Sequence, residues 1–521
     1  MNTEVSDTVL SNITLIDIAS LLKAHNQVNV YIYPNSINKK DEAAFFIGKE
    51  NNGKLLYIIT VSDTKTLDKF NGEVLENTFN GEKLYIKKCP LNHNNVISLQ
   101  ELFPFTRPIP IGLCNSFGFG DRLGLANAGH IRALKGYNFK PIFAQQSIRE
   151  LSRTNRTPDD VLDSAVWAVF QEGYRDGFGA DADHLKTTKD IDLMVKAGYK
   201  TFTIDPSDYI LNGVSAIKKL DLMKKVLELQ WNEFQDTSAN LITRYENKKF
   251  DFPGGYSLSP SLYEVLEACL KYNRAIIHIK NICNYLEEQY PKYDHEIEVS
   301  IDETDTITTP FEHFFIVNEL KRLKVNFVSL APRFVGDFEK GIDYKGDIEV
   351  FKAEYLKHLA IAKHFGFYKI SFHSGSDKFR VYKAVAEINE GFIHIKTAGT
   401  SYLEALKVIS IKDPDLFRKI LDFAVGLYEN EKKTYHVSAD MKKIRPSNEY
   451  KDEELEKLFE SNDVRQALHV TYGRALTEKN EKSELIFRDK IYSCLISNEE
   501  LHYQILVKHF QRHMDPFKDR I

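Results

Sequence analysis

Eight short apolar runs, each ending in residues able to do chemistry, constrain this chain more than any other feature. They are Ile109-Pro-Ile-Gly-Leu-Cys114 before Gly118-Phe-Gly-Asp121-Arg122, Pro141-Ile-Phe-Ala144 before Gln145-Gln146, and Gly177-Phe-Gly-Ala180 before Asp181-Ala-Asp183-His184. Thr201-Phe-Thr-Ile204 precedes Asp205, Ile297-Glu-Val-Ser-Ile301 precedes Asp302-Glu303, and Val325-Asn-Phe-Val-Ser-Leu330 precedes Arg333. Tyr368-Lys-Ile-Ser-Phe372 leads to His373, and Gly391-Phe-Ile393 continues into His394 and Lys396. Helix-like stretches separate most of them, and alternating strands and helices imply a parallel sheet. Eight such strands with polar groups at their carboxyl ends predict an α/β fold, a TIM-type (β/α)8 barrel whose site is built at those ends.

The flanks read differently. Residues 1–104 are expected to form a small α+β appendage, with a helix over Leu10–Ala24 and strands at Val28–Tyr33, Ala43–Ile47 and Lys54–Thr60. Asn51-Asn52-Gly53 is a hairpin signal. The barrel is expected over residues 105–410, and a mainly helical extension over 411–521. The appendage carries no catalytic cluster, so its expected role is oligomerisation or covering one barrel end. One interval is too long for a single crossover, the stretch from Ile204 to Val299. It is expected to hold helices near 261–272 and 274–289, with Asp251-Phe-Pro-Gly-Gly255 as a lid loop, unless Ala275-Ile-Ile-His-Ile279 is a further strand.

A net charge of −5 argues against a general nucleic-acid binder. Five widely spaced cysteines without a Cys-x-x-Cys pair fit neither a disulfide framework nor a zinc knot, so a reduced, cytoplasmic setting is expected. No run approaches the roughly 18 apolar residues of a membrane span. There is no phosphate loop and no His-Glu-x-x-His, and the third glycine after Gly118 and Gly120 is misplaced for a dinucleotide fingerprint.

Strand alternation puts Asp181 and Asp183 on one face, with His184 in the turn beyond, a base beside a metal ligand. The plain alternative has Asp183 capping the next helix. His373-Ser-Gly-Ser376 offers an imidazole and a turn of backbone N–H groups. His394 and Lys396 share a strand face, which is costly in a barrel interior unless they are paired or functional. Arg122 and Arg333 could each hold a carboxylate bidentately or form a structural ion pair. Three neutral imidazoles near carboxylates suit Zn²⁺, Mn²⁺, Co²⁺ or Ni²⁺ better than Mg²⁺, with His436 competing with His394 as third ligand.

The stretches Ser116-Phe-Gly-Phe-Gly-Asp-Arg-Leu-Gly124, Ala144-Gln-Gln-Ser-Ile-Arg149, Ala180-Asp-Ala-Asp-His-Leu-Lys186, Phe372-His-Ser-Gly-Ser-Asp377 and His394-Ile-Lys-Thr-Ala-Gly-Thr-Ser-Tyr402 resemble the tagaturonate/fructuronate epimerase family of bacterial hexuronate catabolism. The likeness runs from about residue 105 onward. It implies metal-dependent interconversion of two keto-hexuronates, some members acting on the neutral ketohexoses fructose and tagatose. Asp183-His184 and the His373 turn also resemble, locally, class II aldolases. Because the two uronates differ at the carbon β to the ketone, where the C–H is not acidified, the pairing of likenesses implies retro-aldol cleavage and re-formation. On that reading the metal ligands are His184, His373 and His394, with Asp183 and Glu303 moving protons. Gln145 binds substrate, and Arg122 and Lys396 hold its carboxylate. The rivals are a ketose 3-epimerase or isomerase working by proton transfer α to the ketone, and a non-catalytic sugar-acid-binding barrel. Expected partners are the small-molecule substrate and, at most, further copies of the chain, with no nucleic acid or membrane.

Overall fold

The computed structural model describes residues 30–518 apart from 41, 52, 61–64, 80 and 81. The helix expected at Leu10–Ala24 lies outside the described residues, as does the start of the strand expected at 28–33. The first described unit is an antiparallel sheet. Its long strands Ala43–Glu50 and Gly53–Thr60 form the hairpin expected from the Asn-Asn-Gly turn, with Glu50 opposite Gly53. One sheet face, with Phe45, Ile47 and Ile58, joins the main core. Phe103 links it to the barrel helix Pro158–Glu172, its ring 5.5 Å from that of Phe170 and tilted 52° to it.

Eight parallel strands then close into a barrel in sequence order. They are β1 (Ser116–Phe119), β2 (Lys140–Ser147), β3 (Gly179–Leu185), β4 (Thr201–Ile204), β5 (Glu296–Ile301), β6 (Ser329–Pro332), β7 (Lys369–Phe372) and β8 (Phe392–Thr397). β8 pairs with β1, placing His394 opposite Ser116 and Lys396 opposite Gly118. Alternate residues such as Phe117, Ala182, Phe202, Val299, Ile370 and Ile395 are fully buried. The intervening residues Asp181, Thr203, Glu298, Ser371, His394 and Lys396 are polar and equally buried. Period-2 alternation sends one set out to the helices and the other into the barrel, so this interior is charged where many barrels are aliphatic.

Three expectations change. The first strand is Ser116–Phe119 and not the run ending at Cys114, which is irregular chain leading into it. Ala275–Ile279 is no strand, because it lies inside one continuous helix, Leu262–Gln289, started by a Ser261/Glu264 capping box. A short run of apolar residues reads alike as buried strand or buried helix, and here four of the five are buried helix positions. Asp251–Gly255 does not cover the mouth. Phe252 packs on Phe314 and His364, 5.3 and 5.1 Å away, against the helices Pro310–Arg322 and Ile348–His364.

The segment after β8 is helical and has its own core around Leu403, Phe417, Leu421, Leu468 and Ile491. Its last helix, Glu499–Met514, returns to the barrel, where Phe510 lies 5.0 Å from Phe119. A short stretch at Thr434–His436 reaches the carboxyl-end mouth of the barrel. No helix among the described residues is long and apolar enough to cross a membrane. All five cysteines are free.

Candidate active site

Lys396 Nζ, projecting from β8, lies 2.7 Å from carboxylate oxygens of Asp181, Asp183 and Glu298. These partners come from β3 and β5, which do not neighbour β8, so the contacts cross the barrel interior. Thr203 donates to Asp181 at 2.8 Å, and Ser329 donates to Glu298 at 2.6 Å. Lys396 is held well above the ordinary lysine range, because the three carboxylates outweigh burial. Burial, only partly offset by Lys396, pushes Asp181 up to about 6. Burial opposes ionisation of Asp183 as well, but Lys396 and the two nearby imidazoles hold it well below the usual carboxylate range.

Above this layer stand His184 and His373, their rings 5.0 Å apart at 76°. His184 gets there through a bulge. β4 advances two residues from Phe202 to Ile204 while β3 advances three, from Ala182 to Leu185. Strict alternation would send His184 outward from beside Asp183, and the extra residue, with φ +53° at His184, turns it back. Asp183 does not cap the next helix, since Thr187 does. His373 follows β7, and Ser374 behind it also has a left-handed backbone, φ +53°.

Asp302, just beyond β5, completes the group, and the ligand atoms of His184, His373 and Asp302 lie within 4.8 Å of one another. His373 Nε2 lies 2.7 Å from Glu298 Oε1, and its Nδ1 is 3.0 Å from Asp302 Oδ1 yet out of line for a hydrogen bond. His184 Nδ1 is likewise buried without a hydrogen bond, 3.5 Å from Asp205. Despite burial, Asp183, Asp205 and Glu303 raise His184 to about 10, and Asp302 and Glu298 raise His373 to about 9. Two ring nitrogens lacking hydrogen bonds, in a pit whose carboxylates outnumber its lysine, form a donor set suited to a divalent cation.

The other expected residues divide. His394 is not brought to this group. It lies two residues below Lys396 on β8, roughly 7 Å deeper, with Nδ1 2.9 Å from Ser116 Oγ. Burial lowers it to about 3, so it is neutral. His436 is exposed and pairs with Asp337 at 3.1 Å. Arg122 is buried against Glu150, at 2.7 Å, with Tyr472 over its face at 3.6 Å. The buried amide of Gln145 has no hydrogen-bond partner among the described residues. It presses so closely on Gly118 that a Cβ there would lie 1.9 Å from its oxygen. Glu303 is about two-fifths exposed at the mouth, 3.7 Å from Arg149.

Two adjoining chambers open over the imidazoles, of about 210 and 40 Å³. Both are lined by Arg149, His184, Lys340, His373, Ser374 and Tyr435. A larger cavity of about 730 Å³ lies between the N-terminal sheet and the last helices, and neither imidazole lines it. Sequence reasoning missed Asp302 as a member of the cluster, although Glu296, Glu298, Ser300 and Asp302 alternate on one face of β5. It also missed Arg149, Lys340, Tyr435 and His469, for which no local pattern exists.

A closed parallel barrel with convergent acids and imidazoles at its carboxyl ends defines an enzyme of the barrel class. A family model for tagaturonate epimerases matches residues 33–517. The chain is 42% identical over 498 residues to a tagaturonate/fructuronate epimerase of Thermotoga maritima, covering 96% of this chain and 99% of that protein. It is also similar to the solved structures of the fructuronate-tagaturonate epimerase UxaE from Cohnella laeviribosi. The native form has 36% identity and TM-score 0.87, and a form complexed with one glycerol has 36% identity and TM-score 0.88. Each alignment covers 96% of this chain and 99% of that one. The chain therefore belongs to the tagaturonate epimerase family and is an isomerase-class enzyme.

Proposed function

We propose that the protein interconverts D-tagaturonate and D-fructuronate by metal-assisted retro-aldol cleavage and re-formation. The observation that carries this reading is the pair of buried ring nitrogens on His184 and His373, beside Asp302 and within reach of an ionised Asp183. A divalent cation such as Zn²⁺, Mn²⁺, Co²⁺ or Ni²⁺, held by His184, His373 and Asp302, would supply Lewis acidity to the keto oxygen. Asp183, kept ionised by Lys396, accepts the proton of the β-hydroxyl. The electron pair of the bond between the α and β carbons then passes into an enolate, and the β carbon becomes an aldehyde. After the aldehyde rotates, the bond re-forms on its other face, and Glu303 from the adjoining chamber gives a proton to the new hydroxyl. Asp183 then releases the proton it took and Glu303 regains one from solvent at the mouth, which restores both carboxyls. Lys396 orients Asp183 and keeps it charged, and Gln145 borders the narrow chamber as a hydrogen-bonding group for substrate hydroxyls.

NMR of tagaturonate incubated in D₂O with metal-loaded protein, against a chelated control, tests this. Metal-dependent fructuronate without carbon-bound deuterium is the expected result. Deuterium on carbon would replace carbon–carbon cleavage by proton abstraction, and absence of product would remove the substrate assignment.

A further inference from the structure

A uronate differs from a neutral ketose by one carboxylate, so selecting it requires a cation that the protein has not already neutralised. Arg122, Arg149, Lys340 and Lys396 all line the inner chamber. Two of them are matched within the fold, Arg122 by Glu150 and Lys396 by Asp181, Asp183 and Glu298. The other two are not. Arg149 has Glu303 at 3.7 Å, at the edge of ion-pair range, and Lys340 has no carboxylate within ion-pair distance among the described residues. Arg333 lines the outer chamber but not the inner one.

Both unmatched side chains spring from fixed backbone. Ser147 ends β2 and caps the helix Ile148–Thr154, with Glu150 closing the capping box, which sets Arg149 in the first turn. The Lys340 N–H donates to His436 O, and Gln466 Nε2 donates to Lys340 O, each at 3.4 Å. Tyr435 stands 5.8 Å from the Arg149 guanidinium. Burial and the Arg149 charge push the Lys340 ammonium below the ordinary lysine range, with Glu303 and Asp302 offsetting part of that. Two neighbouring cations with one half-exposed carboxylate in ion-pair range of Arg149 and none in range of Lys340 cost free energy that an incoming anion would relieve.

We propose that Arg149 and Lys340 form the subsite for the substrate carboxylate and set the preference for a uronate over a neutral ketose. The proposal rests on the keto-hexuronate reading. It places the charged end of the sugar acid at the wall shared by the two chambers and leaves the keto end for His184 and His373. Binding energy from the remote carboxylate then orients the reacting carbons. This differs from the expectation drawn from sequence, which gave that role to Arg122 and Lys396.

Equilibrium dialysis of metal-loaded protein tests it, against the equilibrated tagaturonate/fructuronate pair and separately against tagatose, which lacks the carboxylate. The wild type should bind the uronates at least about tenfold more tightly than tagatose, the ratio expected of one charged hydrogen-bonded contact. Arg149→Met and Lys340→Met should each weaken uronate binding by about 10- to 100-fold and leave tagatose binding unchanged, and Lys340→Arg should recover most of the loss. Equal weakening of both ligands, no weakening at all, or no preference in the wild type would overturn the subsite. A wrong epimerase reading shows itself separately, as uronate preference without product in the NMR experiment.

Discussion

Two separate clusters of imidazole and carboxylate stand within a few residues of each other in the fold, His184–His373–Asp302 and Asp377–His509–His513. They are built from the same residue types and both are largely buried, yet their valences differ. In the second, Asp377 pairs with Arg465 at 2.6 Å and with His509 at 3.2 Å. His509 also meets Thr400 at 2.6 Å and Glu404 at 3.1 Å. His513 accepts from the Asp377 N–H at 2.9 Å and donates to His509 O at 3.1 Å. None of these side-chain atoms is orphaned. In the first cluster a nitrogen on each ring is buried without a hydrogen bond. A closed network joins the last helix to the loop after β7, whereas an open one is a place for something else to bind. Residue types do not separate the two, but unmet hydrogen-bonding capacity does.

The sharpest way to break this contrast is metal content. If the first cluster holds the proposed divalent cation, His184→Ala should lose it together with turnover, and His513→Asn should keep both, as read by elemental analysis of dialysed protein. Asp183→Asn should lower kcat by about 10²- to 10⁴-fold, the range for loss of a general base, with metal content unchanged. Metal lost from Asp183→Asn would make that carboxylate a ligand. Metal lost from His513→Asn would erase the distinction between the clusters.

The contrast also explains what could be read from the chain. Period-2 alternation marks Asp181 with Asp183 and His394 with Lys396 as inward-facing, so the barrel and most of its charged interior are legible. It does not disclose depth. His394 shares a face with Lys396 but sits a full strand repeat below the mouth, while Asp302 lies beyond the end of its strand and takes the place expected for it. Nor does it disclose bulges, and plain alternation would point His184 the wrong way. Lys340, Tyr435 and His469 arrive from a loop and from the C-terminal helical region, where position is set by packing between segments distant in sequence.

A somewhat smaller effect is expected from opening the closed network. Arg465→Met removes the shorter of the two ion-pair contacts of Asp377 and leaves the buried carboxylate with His509 alone, a change worth up to about 3–5 kcal/mol. In a chain of this size that corresponds to an apparent Tm lower by up to roughly 3–5 °C, with any metal content of the first cluster retained. An unchanged Tm would mean that the buried pair is offset by solvent or rearrangement, and the second cluster would then be no more closed than the first.

The least change, and the finest test of closure, is in pH dependence. Burial, reinforced by His509 and Arg512 against the opposing Asp377, lowers His513 to about 3, so the native state holds it neutral. In the unfolded chain the same imidazole takes up a proton near pH 6.5. The unfolded state therefore binds more protons below that pH, and the contribution of His513 to stability, present in full above pH 6.5, is lost as pH falls towards 3. The slope from this one group is at most about 1.4 kcal/mol per pH unit. In His513→Asn the amide can take the place of Nδ1 and donate to His509 O, but it does not titrate. Its Tm should fall less steeply than that of the wild type between pH 6.5 and 4. Parallel slopes would mean that His513 is already protonated in the native protein, which would leave its Nε2 unable to accept the Asp377 N–H and would reopen the cluster to a ligand.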